Sequence, residues 1–262
     1  MCQLSIRITD AEGNILAERT SADFVNLVYS GEYHPGDKIV LAAKPRSFLV
    51  IHLDDGMNPS FVYMKEPEYT LPIPFAEKRL SYNPKAFSGK IHLLTARTAA
   101  EAEISSEKNL AQNEYDSHGN TSCFPHASAN VETRDESVFA ARNAIDGNTE
   151  NHSHGNWPYE SWGINRDPDA AIKIDFGRTV SIRRIVLFTR ADFPHDNWWT
   201  RATLTFSDGT SETVSMAKTD RPHSFDMAKD RITWVKMGSL VKDESDPSPF
   251  PALTQIQVFG TE

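Results

Sequence analysis

Apolar and polar residues alternate along most of this chain, in short stretches. Leu4, Ile6 and Ile8 fall at every second position, the spacing of a half-buried strand. Similar β-rich runs follow over residues 24–29, 39–41, 48–53, 61–64 and 91–94, with turn residues such as Glu12-Gly13-Asn14 and His34-Pro35-Gly36-Asp37 between them. Strands of this length about ten residues apart predict an antiparallel sandwich. The proline-studded stretch from Pro67 to Pro74 has to lie at an edge, because proline cannot donate to a ladder. Residues 98–108 are the one helix-compatible polar segment before the composition changes, and they read as a linker or single helix. Strand patterns resume at 172–176, 182–188, 202–206, 233–237 and 254–259. The expectation is an all-β chain of two β-sandwich domains, 1–106 and 107–262.

One stretch joins two kinds of text. Ala202, Leu204 and Phe206 alternate up to Ser207-Asp208-Gly209-Thr210, an Asp-Gly hairpin turn, and Thr213-Val214 starts back. Just before it, Arg190, Asp192, His195, Asp196, Asn197, Trp198 and Trp199 crowd an aperiodic loop.

The bulk numbers narrow the classes. A chain of 262 residues that is 39% hydrophobic can bury a sizeable core. A formal charge of −9, without a basic run, argues against nucleic acid or an anionic membrane as partner. No apolar stretch approaches the ~18–20 residues of a membrane span. Cys2 and Cys123 make no disulfide framework. The first residues carry neither a basic segment nor an apolar run, so the expectation is a cytoplasmic protein.

Beyond residue 109 the order of pieces is telling. "NLA" at 109–111 is followed by "HASAN" at 126–130, "AARNAIDGN" at 140–148, "SWG" at 161–163 and "AIKIDFG" at 171–177. "IRRIVLFTR" at 182–190, "ATLTFSDGT" at 202–210 and "TQIQVFG" at 254–260 complete the series. In this order and spacing they resemble the discoidin family, the coagulation factor five/eight type C group, which includes many galactose-binding carbohydrate-binding modules. The resemblance implies a jelly-roll β-sandwich whose loops at one end form the ligand site. Residues 1–105 resemble no family.

Asp146-Gly147-Asn148 offers a tight turn flanked by oxygen donors, which suits a hard cation. The resemblance implies a structural Ca²⁺ here, held by the Asn143 carbonyl and by Asp146, Asn148 and Gln255. Gln255 departs from the family's glutamate: it supplies an oxygen without a charge. The competing reading is that Asp146 only caps a turn.

A pyranose needs a flat aromatic face and directional polar partners. Trp157 or Trp198 supplies the former; His154, Tyr159, Arg190, Asp192, His195 and Asn197 supply the latter. Against this stand structural roles. Trp162 and Trp234 read as core, one of Trp198 and Trp199 points inward, and Arg190 and Asp192 can pair with each other. His152 and His154 could ligate a transition metal only with a third group that the sequence does not define. Phe250 borders the same loops. Catalysis has little support. Neither Asp192 with Asp196 nor Glu160 with Asp167 stands out as a glycosidase pair. Cys123, three residues before His126, reads as a buried small residue. The expectation is a non-catalytic protein that binds a small carbohydrate or glycan, with a protein-assembly module as the rival and a carbohydrate-active enzyme as the third.

Overall fold

The computed structural model describes residues 2–191 and 197–262. Among the described residues the chain is all-β apart from one short α-helix and a few 3₁₀ turns. Its first half carries β1 (Gln3–Thr9), β2 (Ile15–Ala22), β3 (Phe24–Tyr29), β4 (Lys38–Ala42), β5 (Ser47–His52), β6 (Ser60–Met64), β7 (Glu68–Pro72) and β8 (His92–Thr98). They form one sheet in the order β2-β1-β4-β7 and a second containing β6-β5-β8-β3. Leu4, Ile6, Ile8, Ile39, Leu41, Leu49 and Ile51 meet between them, all fully buried. The proline-bounded β7 is an edge strand, as the missing donors require. Strand β2 had no alternating signature: it is an edge strand with mostly exposed side chains, held by backbone pairing to β1.

The passage to the second half is not a single crossing. Helix α1 (Glu101–Ser105) is tied down at its start, where Glu103 accepts the Ala100 N–H at 2.8 Å and takes a two-pronged contact from Arg97. Strand β9 (Lys108–Asn109) then pairs with the last strand of the protein, and Leu110 and Ala111 enter the second core. The chain next turns back. Tyr115 and Cys123 pack into the first core, and β10 (Cys123–Phe124) adds itself to β6. At this seam Gly177 (φ 68°) faces the Phe124 ring, and a Cβ there would overlap the ring. Arg178 lies over Phe48 and Tyr63 while its guanidinium holds Glu262 at 2.6 Å.

The second half continues with β11 (His126–Ala129), β12 (Trp162–Gly163), β13 (Ile172–Arg190), β14 (Trp199–Phe206), β15 (Ser211–Ser215), β16 (His223–Lys242) and β17 (Ala252–Thr261). The hydrogen-bonded order is β12-β17-β13-β16-β14-β15, with β11 on β13 and β9 on β17. The long β13 changes partners along its length: residues 172–175 pair with β11, residues 181–190 with β17. Register shifts between Asp175 and Arg184 mark where it bends. Trp162, Trp199, Phe176 and Phe206 fill the core, and the Trp162 and Trp199 rings stand 6.3 Å apart. Trp199 is thus the inward member of its pair. Trp234 corrects the sequence expectation. Ile232, Val235 and Met237 face inward, so the alternation slips by one residue, and Trp234 sits half-buried on the outer side under the Lys173 ammonium.

Candidate functional site

The AIDGN turn builds an oxygen cradle. A 3₁₀ segment, Ala141–Ile145, delivers Asp146, and Gly147 (φ 95°) turns the chain in the left-handed region. The Asn143 carbonyl, Asp146 Oδ1 and the Asn148 carbonyl point at one spot. Gln255 fills it: its Nε2 lies 3.1 Å from each of the three oxygens. Its Oε1 accepts the Gly147 N–H at 3.1 Å, which fixes the orientation of the amide, since the reverse would set two donors against each other. The side chain of Asn148 turns away to Pro158 and Glu160. The four residues that the resemblance assigns to Ca²⁺ therefore satisfy one another through an N–H donor at the centre. As arranged, they do not fit a hard cation, which needs oxygens there.

Beside this cradle lies an acidic groove between the two halves, of about 450 Å³. Glu114, Arg142, Asp146, Trp157 and Glu160 line it from the second half of the chain, Asp55 and Tyr82 from the first. Burial pushes the Glu114 carboxyl up to about 7. Burial, with the Glu160 charge added, raises Asp146 well above the usual carboxylate range, and burial raises Glu160 as well. The Arg142 side chain is committed elsewhere. It donates to the Asp116 and Glu114 carbonyls and to Asn143 Oδ1, and its guanidinium stacks on Tyr82 at 4.2 Å.

A second hollow, of about 150 Å³, opens at the loop rim of the C-terminal sheet. His154 comes from the loop after the AIDGN turn and Arg190 from the end of β13, so a loop and a strand end separated in sequence meet there. Arg190 is only 4% exposed and donates to Ser161 Oγ at 3.2 Å. Phe139 and Phe250 form apolar walls. Asn165 and Arg166 both adopt positive φ (49° and 63°), and this turn carries the Arg166 guanidinium over the Phe250 ring at 4.7 Å.

The remaining candidates are dispersed. Trp157 stands in the groove rather than at the rim, 38% exposed, with its backbone N–H bonded to the Leu80 carbonyl at 2.8 Å. Tyr159 bonds His152 Nε2 through its hydroxyl at 3.2 Å. Asn197 is fully buried: its amide nitrogen, with two hydrogens to give, lies 2.8–3.1 Å from the carbonyls of Asp243, Asp246 and Ser248 and so pins the 243–248 loop. Trp198 is half-buried beneath the Lys218 ammonium, 4.9 Å from its ring. Asp192 and His195 lie outside the described residues. Sequence reasoning missed Glu114, Arg142 and Tyr82 in the groove and Phe139 and Arg166 at the rim. The return of residues 113–124 to the first half and the bond of Trp157 to Leu80 bring the groove residues together, and no local pattern announces either.

Residues 120–246 match the model of a family described as a domain of unknown function, DUF7402. Comparison with curated proteins finds no match. Among solved structures, the chain is similar to chitosan-binding module 1 of a chitosanase/glucanase from Paenibacillus sp. IK-5, at 17% identity and TM-score 0.40, covering 58% of this chain and 99% of that one. It is also similar to the lectin domain of lectinolysin complexed with Lewis B antigen, at 18% identity and TM-score 0.42, covering 59% and 98%. A third is the family 32 module of C. perfringens NanJ in complex with galactose, at 16% identity and TM-score 0.39, covering 59% and 99%.

Proposed function

We propose that this protein binds a small carbohydrate, without turning it over, in the rim hollow of its C-terminal half. The reading rests on one observation: Arg190, at the end of β13, and His154, from a loop, meet in a single concavity walled by Phe139 and Phe250. A sugar ring presents an apolar face to such a wall and hydroxyls to such donors. The near-complete burial of Arg190 and its bond to Ser161 hold the guanidinium in one orientation, which keeps the entropic cost of binding low. Titration of the full chain with a panel of monosaccharides and short glycans, followed by calorimetry or by NMR shifts, tests it. Binding is expected for at least one sugar and is lost in Phe250→Ala combined with Arg166→Ala. Unchanged binding in that pair, or no binding across the panel, removes the proposal.

A protein-assembly role is the second reading, favoured by the outer face of the first half. Phe24 (60% exposed), Val28 (59%), Ile91 (72%) and Leu93 (45%) are exposed there, and Val28 pairs directly with Leu93. Strand β3 is the edge of its sheet, open to a further strand. Sedimentation that depends on concentration would support it, and a monomer at all concentrations with no strand partner would count against it.

A further inference from the structure

The rim hollow differs in charge from the chain that builds it. The protein carries a formal −9. Yet the described residues lining the hollow include three arginines and a histidine, and no carboxylate. Each guanidinium lies against an aromatic wall: Arg134 and Arg190 over the Phe139 ring at 5.7 and 6.0 Å, Arg166 over Phe250 at 4.7 Å. Such stacking uses the face of a guanidinium and leaves its N–H edge for an acceptor. The turns that carry Arg134 and Arg166 (φ 53° and 63°) are tied together, because Thr133 Oγ1 accepts the Asn165 N–H at 2.9 Å. The three cations are not equally committed. Arg134 gives Nε and Nη2 to Glu136 at 2.7 and 2.8 Å, and Arg190 donates to Ser161 Oγ. Arg166 is exposed, and among the described residues its guanidinium has the Phe250 ring as neighbour and no carboxylate partner. The adjacent Asp167 turns its Oδ1 to the Asp169 N–H at 2.8 Å instead.

We propose that the sugar held in this hollow carries an anionic group, a carboxylate or a sulfate ester, and that Arg166 receives it. This rests on the carbohydrate reading of the same hollow and narrows it. A guanidinium presents parallel N–H groups that match two oxygens of such a group, and a hydrogen bond to an ionised acceptor is about twice as strong as a neutral one. A pyranose resting on the Phe250 ring brings an acidic substituent at its edge to the guanidinium above that ring. An acidic protein repels anions at long range, so a local group of arginines is what reverses the sign at the hollow. A neutral sugar gains nothing from Arg166, and a protonated amino sugar is repelled by all three arginines.

The full chain is titrated with galacturonic acid, N-acetylneuraminic acid and galactose 6-sulfate, beside the neutral monosaccharides of the preceding test and galactosamine, at about 50 and about 300 mM salt. Calorimetry and NMR shifts give the readout. At least one anionic sugar is expected to bind about tenfold or more tighter than any neutral one. It should shift resonances of residues 133–139, 163–166 and 250, and lose part of its advantage at the higher salt. Preference for either acid assigns the group to a carboxylate, and preference for the 6-sulfate assigns it to a sulfate ester. Arg166→Gln should bring the ratio of anionic to neutral affinity close to one, and Arg166→Lys, which keeps the charge without the fork, should leave an intermediate ratio. A neutral sugar or galactosamine that binds as tightly as every anionic one, a ratio unaltered in Arg166→Gln, or a ratio indifferent to salt overturns the proposal. The salt comparison uses the unaltered chain, so it decides the matter even where a variant does not fold. Failure of every sugar to bind removes the carbohydrate reading itself, whereas neutral sugars bound without preference for the anionic ones remove this inference alone.

Discussion

Gln255 Nε2 donates to Asp146 Oδ1 at 3.1 Å, across 109 residues of sequence, and the same nitrogen faces the Asn143 and Asn148 carbonyls. A neutral amide thus occupies the point where the surrounding oxygens would otherwise need a cation. Replacing it should create that need. Gln255→Glu is expected to respond to calcium, with stabilisation of about 2.7 kcal/mol at a free concentration a hundredfold above its Kd. Thermal melts with calcium and with EDTA, run on both proteins, check this. An equal calcium response from the unaltered chain would mean that the amide swings aside, contrary to the arrangement described.

Asn197 staples the 243–248 loop in place. Three carbonyls of that loop surround its single amide nitrogen. Asn197→Ala should cost about 1–3 kcal/mol, chiefly for the buried Ser248 carbonyl that loses this donor. The expected signature is a lower urea midpoint at an unchanged slope.

His126 and Asp116 make a pH-sensitive contact at the seam, with Nδ1 to Oδ1 at 2.8 Å. Burial alone would lower the imidazole, but the hydrogen bond to Asp116 and its charge outweigh it, so His126 titrates above its ordinary value. A raised folded value means that the contact stabilises fully below about pH 6.5, the unfolded reference, and that the benefit is lost as pH rises through the folded value. NMR titration should place His126 above its reference. In Asp116→Asn it should fall, and with it the extra stability on the acidic side.

Trp199 tests the core. Only 1% exposed and packed against Trp162, it leaves a large void when truncated. Trp199→Ala should cost about 3–5 kcal/mol. Trp198→Ala, its half-exposed neighbour, should cost far less, and paired melts compare the two.

What the sequence made legible follows from how local each signal is. Period-two alternation located β1, β3 and β14 because one face of each is buried. It failed for β2, whose residues are mostly exposed and which is defined by backbone pairing alone. It failed for Trp234 because a bulged strand shifts phase without any mark in the residue types. At the rim, the aromatic and polar crowding of the loops did point to His154 and Arg190. It misplaced Trp157, whose loop also leans on the first half through the Leu80 carbonyl. The groove was invisible because Glu114 and Tyr82 belong to segments more than thirty residues apart that no short-range pattern relates.

The return of residues 113–124 has a practical meaning. The second half lends a strand to the first, and Tyr115 reaches into its interior, so the pair resembles clasped hands more than beads on a string. A gene cut at residue 107 would strip the outer border of β6 and empty the place of a tyrosine. Anyone wishing to transplant the C-terminal portion into another protein has to carry β9, Leu110 and Ala111 with it, since they complete its last strand and its core, and the donor then loses the segment it borrows.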